Sequence, residues 1–153
     1  MHMMEMVLAL FATVLFTTLS LSYNQAIWTQ ADYLNNATTV VQASQICHSI
    51  LDEVDAKLFS GQVRFNQIRS LYNFTSKTDY PFISTQYNVK REAVFCDKYG
   101  KTTKIEYDYD LEQDVEVPID NSLYILMTVT VSGPTYLKYP YSMTRIVTET
   151  FVR

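Results

Sequence analysis

The sequence predicts an α+β fold: a long N-terminal helix with a protruding apolar half, and a second half packed on a C-terminal antiparallel sheet of about four strands. Three observations predict it. No Gly or Pro interrupts the first 60 residues, and apolar residues there recur three and four apart. After Pro81 the apolar period changes to two. Charge is concentrated in the later part: no Lys or Arg precedes Lys57, and Met6 to Ala31 is free of charge. The division read from these patterns is a hydrophobic helix over 1–24 and a globular domain over 25–153. Within that domain the helix continues to about residue 59, a connection runs over 60–82, and the sheet occupies 83–153.

The helix comes first. Its apolar run, MVLALFATVLFTTLSL, covers 6–21, slightly short of the ~20 residues of a bilayer span, and the uncharged stretch Ser22–Gln30 lengthens it. Beyond it, Ile27, Ala31, Leu34, Thr38 and Val41, then Cys47, Leu51, Val54 and Leu58, read as one helical stripe. Gln30, Asp32, Asn35, Gln42, Ser49 and Asp52 mark the opposite side. Gly61 is a natural stop just past Leu58. A helix from Met1 to Phe59 would be about 88 Å long at about 1.5 Å per residue. Thr17, Thr18, Ser20 and Ser22 are its weak points, because their hydroxyls bond back to helix carbonyls.

The connection Gln62–Pro81 is rich in Asn, Ser, Thr and Tyr, with a short helical turn expected around Asn66–Leu71. Candidate strands follow at Ile83–Cys96, Lys104–Leu111, Leu123–Val131 and Met143–Val152. Gly100 falls in the first turn, and Ser132-Gly133-Pro134 breaks the chain after the third strand. Four strands in succession suggest a meander laid on the helix.

Composition excludes several functions. The net charge of −4 argues against a nucleic-acid partner. There is no Gly-rich phosphate loop, GxSxG, HExxH or CxxC, so neither catalysis nor a cofactor is expected. Cys47 and His48 are neighbours, about 100° apart on a helix, which is poor geometry for a nucleophile pair. No metal is expected either. Glu106, Asp108 and Asp110 invite a calcium reading, but they alternate with Tyr107, Tyr109 and Leu111, and a solvated strand face accounts for that. Tyr136, Tyr139 and Tyr141 are read as sheet packing rather than an adhesive patch. Asn36-Ala37-Thr38 and Asn73-Phe74-Thr75 match the N-glycosylation pattern. Outside the cytoplasm a Cys47–Cys96 disulfide is expected, with Cys47 on the stripe facing the sheet and Cys96 ending a strand above it.

Glu5 decides between readings of the N-terminus. A cleaved secretory signal calls for a basic n-region, and MHMME has no Lys or Arg. A plain single-pass anchor fits the hydropathy but leaves a carboxylate at the edge of the oily run, which costs about 2.5–3.5 kcal/mol inside a membrane. The stretch MHMMEMVLALFATVLFTTLSLS resembles the mature N-terminus of type IV pilins and type II secretion pseudopilins. ASQICHSILDEVDAKLF is similar to a helix of PilV-type minor pilins, and LYILMTVTVSGP with SMTRIVTETFV to their last two strands. His2, Met3 and Met4 depart from the commoner pattern of that N-terminus.

The resemblance implies a structural subunit of a type IV pilus-like filament. A basic leader would be removed upstream, and the freed amine of Met1 would pair with Glu5 of a neighbouring subunit. Met6, Val7, Leu8, Leu10, Phe11, Val14, Leu15 and Phe16 would form the filament core. The implied partners are further copies in a helical homopolymer, the inner membrane before assembly, and the pilus assembly machinery. The implied location is an extracellular filament at the cell surface. Two alternatives stand beside it: a minor pilin or pseudopilin that primes a filament, and a monomeric membrane-anchored periplasmic binding module.

Overall fold

A computed structural model describes residues 2–79 and 86–149. In chain order it contains helix α1 (His2–Phe59), a 3₁₀ turn (Phe65–Gln67), helix α2 (Ile68–Tyr72) and six strands: β1 (Phe74–Asp79), β2 (Gln86–Cys96), β3 (Thr103–Asp108), β4 (Gln113–Pro118), β5 (Tyr124–Ser132) and β6 (Tyr141–Thr148). The expectations placed on Met1, Pro81, Ile83 and the end of the last strand at Val152 lie outside the described residues. The chain divides into two compact units at Thr38 and Thr39, well beyond residue 24.

The predicted helix span is observed. Nothing in the sequence stops α1 before Gly61, and there the chain turns left-handed, with φ +70°. The last carbonyls are satisfied locally: Ser60 N–H donates to Ala56 O at 2.9 Å and Val63 N–H to Lys57 O at 3.2 Å. Lys57, in the last turn, pairs with Glu53. The short turn expected near Asn66–Leu71 is also present, and the Gln67 amide oxygen accepts from the Arg64 N–H at 3.2 Å to start it.

The core belongs to the second unit. Ala43, Ile46, Cys47, Ile50, Leu51 and Val54 of α1 are buried against Tyr87, Val89 and Ala93 of β2 and Ile125, Met127, Val129 and Val131 of β5. Ile68 and Tyr72 of α2 close one side. Gln42 is buried rather than solvated, because the Tyr87 hydroxyl donates to its amide oxygen. Arg145 on β6 donates to Asp52 at 2.8 Å and to Asp55 at 2.6 Å, tying the edge strand to the helix.

The expected single stripe is in fact two. Val41 and Cys47 are six residues apart, about 240° around a helix at about 100° per residue. Burial follows Thr39, Gln42, Ala43, Ile46, Cys47, Ile50, Leu51 and Val54. Ile27, Leu34 and Val41 lie on another face and stay exposed.

The main sheet has four antiparallel strands in the order β1-β2-β5-β6, but their membership differs from expectation. The strand expected at Lys104–Leu111 pairs with β4 in a separate two-stranded hairpin, and β1, from the supposed connection, takes the fourth place. β1 went unseen because FTSKTD has no apolar alternation: it is an edge strand with one neighbour. Its pairing ends at Phe74↔Arg91, beyond which the Asn73 side chain acts as one more strand residue. Its Oδ1 accepts from the Ala93 N–H at 2.6 Å and its Nδ2 donates to Ala93 O at 3.2 Å. The acceptor nitrogen of that glycosylation pattern is thereby committed to the sheet.

Register overturns the expected disulfide. Residues opposite each other in an antiparallel pair share a face. Ile125 opposite Phe95 and Met127 opposite Ala93 lie on the face toward the helix. Cys96, opposite Tyr124, has the other parity. It is buried on the outer face, where the turn at Gly100 (φ +84°) closes over Ile146 and Leu126, 3.4 and 3.8 Å from where a Cβ would stand. Cys47 lies on the inner face with its thiol 3.6 Å from Val129 O. Both thiols are free, with the sheet between them, a geometry no disulfide spans.

Candidate functional site

The candidate site is the bare part of α1. Met3, Met4, Met6, Val7, Leu8, Leu10, Phe11, Val14, Leu15, Phe16, Leu19 and Leu21 are all exposed, from 50% at Val14 to 82% at Met3. At about 100° per residue they point in every direction, so this is an apolar cylinder rather than an amphipathic stripe. Such helices are stable in a membrane or inside a protein assembly. The helix is long and apolar enough to cross a bilayer. Met3–Leu21 spans about 28 Å, against a hydrocarbon core of about 30 Å.

The segment's polar groups suit a dry medium. Thr13, Thr17 and Thr18 each donate a hydroxyl to carbonyls three and four residues back, at 2.8 to 3.1 Å. These bonds are made within the helix, so transfer out of water leaves these three threonine hydroxyls satisfied. The helix remains continuous through them, although such bonds were expected to weaken it.

Glu5 is the exception. It is exposed, and its nearest charged neighbour among the described residues is His2, with Nδ1 3.6 Å from the carboxylate across an i,i+3 step. That distance is too long for a hydrogen bond, so the contact is at most a solvent-exposed ion pair. The amine of Met1, the other half of the expected pair, lies outside the described residues.

The exposed apolar surface continues past the membrane-length run. Ile27, Ala31, Leu34, Thr38 and Val41 are spaced four, three, four and three apart, the 3.5-residue repeat of a coiled-coil seam. Ile27, Leu34 and Val41 are 45%, 63% and 55% exposed. A bilayer covering Met3–Leu21 does not reach them, and their spacing is the one found where two helices pack side by side. This seam is visible in the sequence once helical phase is tracked, and the single-stripe reading obscured it.

The other candidates resolve into local structure. Cys47 is buried and His48 exposed, so no nucleophile pair exists; burial pushes the Cys47 thiol from its ordinary 9.0 to about 11. Burial, reinforced by the Asp97 charge, raises Cys96 as well. Among the described residues no three of His, Cys, Asp or Glu are grouped to hold a metal ion. Asp108 instead accepts the N–H groups of Asp110 and Leu111, closing the turn between β3 and β4. The tyrosine trio separates: Tyr141 is half-buried with its hydroxyl 3.4 Å from Ser44 Oγ, while Tyr136 and Tyr139 are exposed.

The acidic hairpin is not one solvated face backed by an apolar one. Ile105 stands opposite Glu116 and Tyr107 opposite Asp114 on one side, and Glu106 opposite Val115 and Lys104 opposite Val117 on the other. Each face mixes acid and apolar groups, because the two strands alternate out of phase. Comparison with protein-family models, with curated proteins and with solved structures finds no match to this chain.

Proposed function

We propose that this chain is a structural subunit of a type IV pilus-like filament, held in a membrane through its N-terminal helix and polymerised through the same helix. The observation that carries the reading is the seam at Ile27, Ala31, Leu34, Thr38 and Val41. A lone anchor needs about 20 apolar residues and no more. This helix offers that length and then a further exposed 3.5-residue repeat, which a neighbouring helix would cover. Burial of this surface is favourable by about 25 cal/mol per Å² and repeats with every subunit added.

In this scheme Met6, Val7, Leu8, Leu10, Phe11, Val14, Leu15 and Phe16 lie in lipid before assembly and in the filament core after it. Glu5 would trade His2 for the Met1 amine of a neighbour, since a carboxylate in a dry core needs a charged partner. The cell surface, the inner membrane and the assembly machinery are the corresponding location and partners. A role in priming a filament, as a minor pilin or pseudopilin, uses the same contacts and differs in abundance within sheared filaments.

A second reading has its own support. The His2–Glu5 pair gives the carboxylate a partner within its own chain, which suits a monomeric membrane-anchored module. Glu5→Ala in the full chain separates the two. The filament reading expects filament yield to fall at least about tenfold with membrane insertion and folding unchanged. Normal yield and length from that variant, or absence of any filament from the parent protein, would leave the anchored module.

A further inference from the structure

We propose that the β3–β4 hairpin docks onto the Arg69–Arg91 face of a second copy of this chain, setting carboxylates on guanidinium groups and tyrosines beside phenylalanines. On the donor side, β3 and β4 pair only with each other among the described strands. A two-stranded sheet is marginal in water by itself. It nevertheless displays Ile105, Tyr107, Tyr109 and Leu111, the last two 86% and 61% exposed, with Tyr107 and Tyr109 edge to face at 5.2 Å. Seven of the sixteen acids and one of the twelve bases lie between Thr103 and Asp120. The rest of the chain therefore carries more bases than acids, and the molecule is polarised.

The receiving side is equally specific. Arg91, Ala93 and Phe95 share the face of β2 that turns toward the helix; Ala93 is buried there, Arg91 and Phe95 are half-buried, and α2 lies beside them. The Arg69 guanidinium sits 4.5 Å above the Phe95 ring and that of Arg91 4.6 Å above Phe74. Among the described residues neither has a carboxylate within ion-pair distance. Arg91 Nε is buried and has no hydrogen-bond partner among the described residues, so the outer guanidinium nitrogens are the ones left for a carboxylate. Phe74 and Leu71 beside them are 43% and 50% exposed. Arginines held flat on rings present their donor edge in a fixed direction and match carboxylates in pairs. Exposed Arg69 with the partly exposed Phe74 and Leu71 has the Arg and aromatic composition of interface hot spots.

Such a contact joins unlike surfaces, so each docked copy offers a free hairpin and a free Arg face to the next. It concerns residues 39–153 alone and does not require the helix to polymerise.

The test uses the full chain in mild detergent, mixing ¹⁴N- and ¹⁵N-labelled protein, with photoreactive benzoylphenylalanine in place of Tyr109. The expected product is a light–heavy cross-link from residue 109 to the segment 64–77. Arg69→Glu should cut it about tenfold, adding Asp110→Lys and Glu112→Lys should restore it, and raised salt should weaken it. Arg69 is exposed, so its variants should keep the thermal midpoint; if Arg69→Glu lowers it, Arg69→Gln takes its place. A cross-link confined to one chain, captured by an unrelated protein, absent, or indifferent to Arg69 overturns the proposal. Filaments that lack this cross-link overturn the docking and leave helix-driven assembly standing. The cross-link in protein that never forms filaments does the reverse.

Discussion

Leu15 and Leu51 have the same side chain in the same helix, yet Leu15 is 59% exposed and Leu51 1%. The difference is not one of propensity. Both stretches satisfy their backbone within the helix, and both are free of Gly and Pro. It lies in what each stretch leaves for others to cover. From Thr39 onward the apolar positions keep to one side, and a sheet with one apolar face is enough to bury them. Before Leu21 they occupy every side, which no single sheet can cover. The comparison teaches that an amphipathic segment finds its partner within one chain, while an all-round apolar segment must look to lipid or to other chains.

The largest expected effect comes from separating the two. Removing residues 1–24 should leave a chain that stays in solution without detergent where the full-length chain does not, while thermal unfolding keeps its midpoint. Size-exclusion chromatography of both forms without detergent checks this. A truncated chain that aggregates beside a soluble, monomeric full-length chain would place the N-terminal segment in the core and break the comparison.

Next in size is the matched pair of substitutions. Leu51→Ala should cost about 2–5 kcal/mol, the removed methyls plus the cavity they leave. Leu15→Ala should leave the unfolding of the 39–153 unit unchanged and reduce filament yield instead. Denaturant unfolding of both variants, read by near-UV dichroism, sharpens the contrast. Equal losses would mean that residue 15 has a partner in the folded unit.

A smaller loss is expected at the polar contact inside the core. Tyr87→Phe removes the hydroxyl that satisfies Gln42 and should cost about 1–3 kcal/mol, because the amide oxygen stays buried. The double variant with Gln42→Leu should recover much of that loss. If the two costs simply add, the hydrogen bond is not what holds Gln42 inside.

The smallest effect concerns the thiols. Both should resist alkylation in the native protein and react on unfolding, and quantitative mass spectrometry of labelled protein distinguishes this from a disulfide. Burial favours the neutral form of Cys47, so its folded value lies above the unfolded one. The stability this gives is complete below pH 9.0 and is lost as pH rises toward about 11. Cys47→Ser should flatten that alkaline decline in a pH series of unfolding midpoints.

Several elements were legible before any coordinates. Helix α1 was readable because nothing breaks it before Gly61, and β2, β5 and β6 because Val89, Met127 and Val147 sit in alternating runs. β1 was not, since an edge strand can be polar on both sides. β3 was read into the wrong sheet: Ile105 and Tyr107 alternate like half-buried residues, and only pairing shows that they stand opposite Glu116 and Asp114. The apolar N-terminal surface was evident from composition, whereas the Arg69–Arg91 face left no local signal. It exists because α2 and β1 bring distant guanidinium groups over Phe95 and Phe74.

By itself the sequence determined the helix, its bare apolar half, the strand period and the single acid at Glu5, because these depend on neighbours within a few residues. The tertiary structure decided which strands share a sheet, which side of the helix is covered, and the fate of the two cysteines. Cys47 and Cys96 are both buried, and no local rule separates them. Strand parity sets them on opposite faces of the sheet, and parity is settled only when β2 chooses its register against β5.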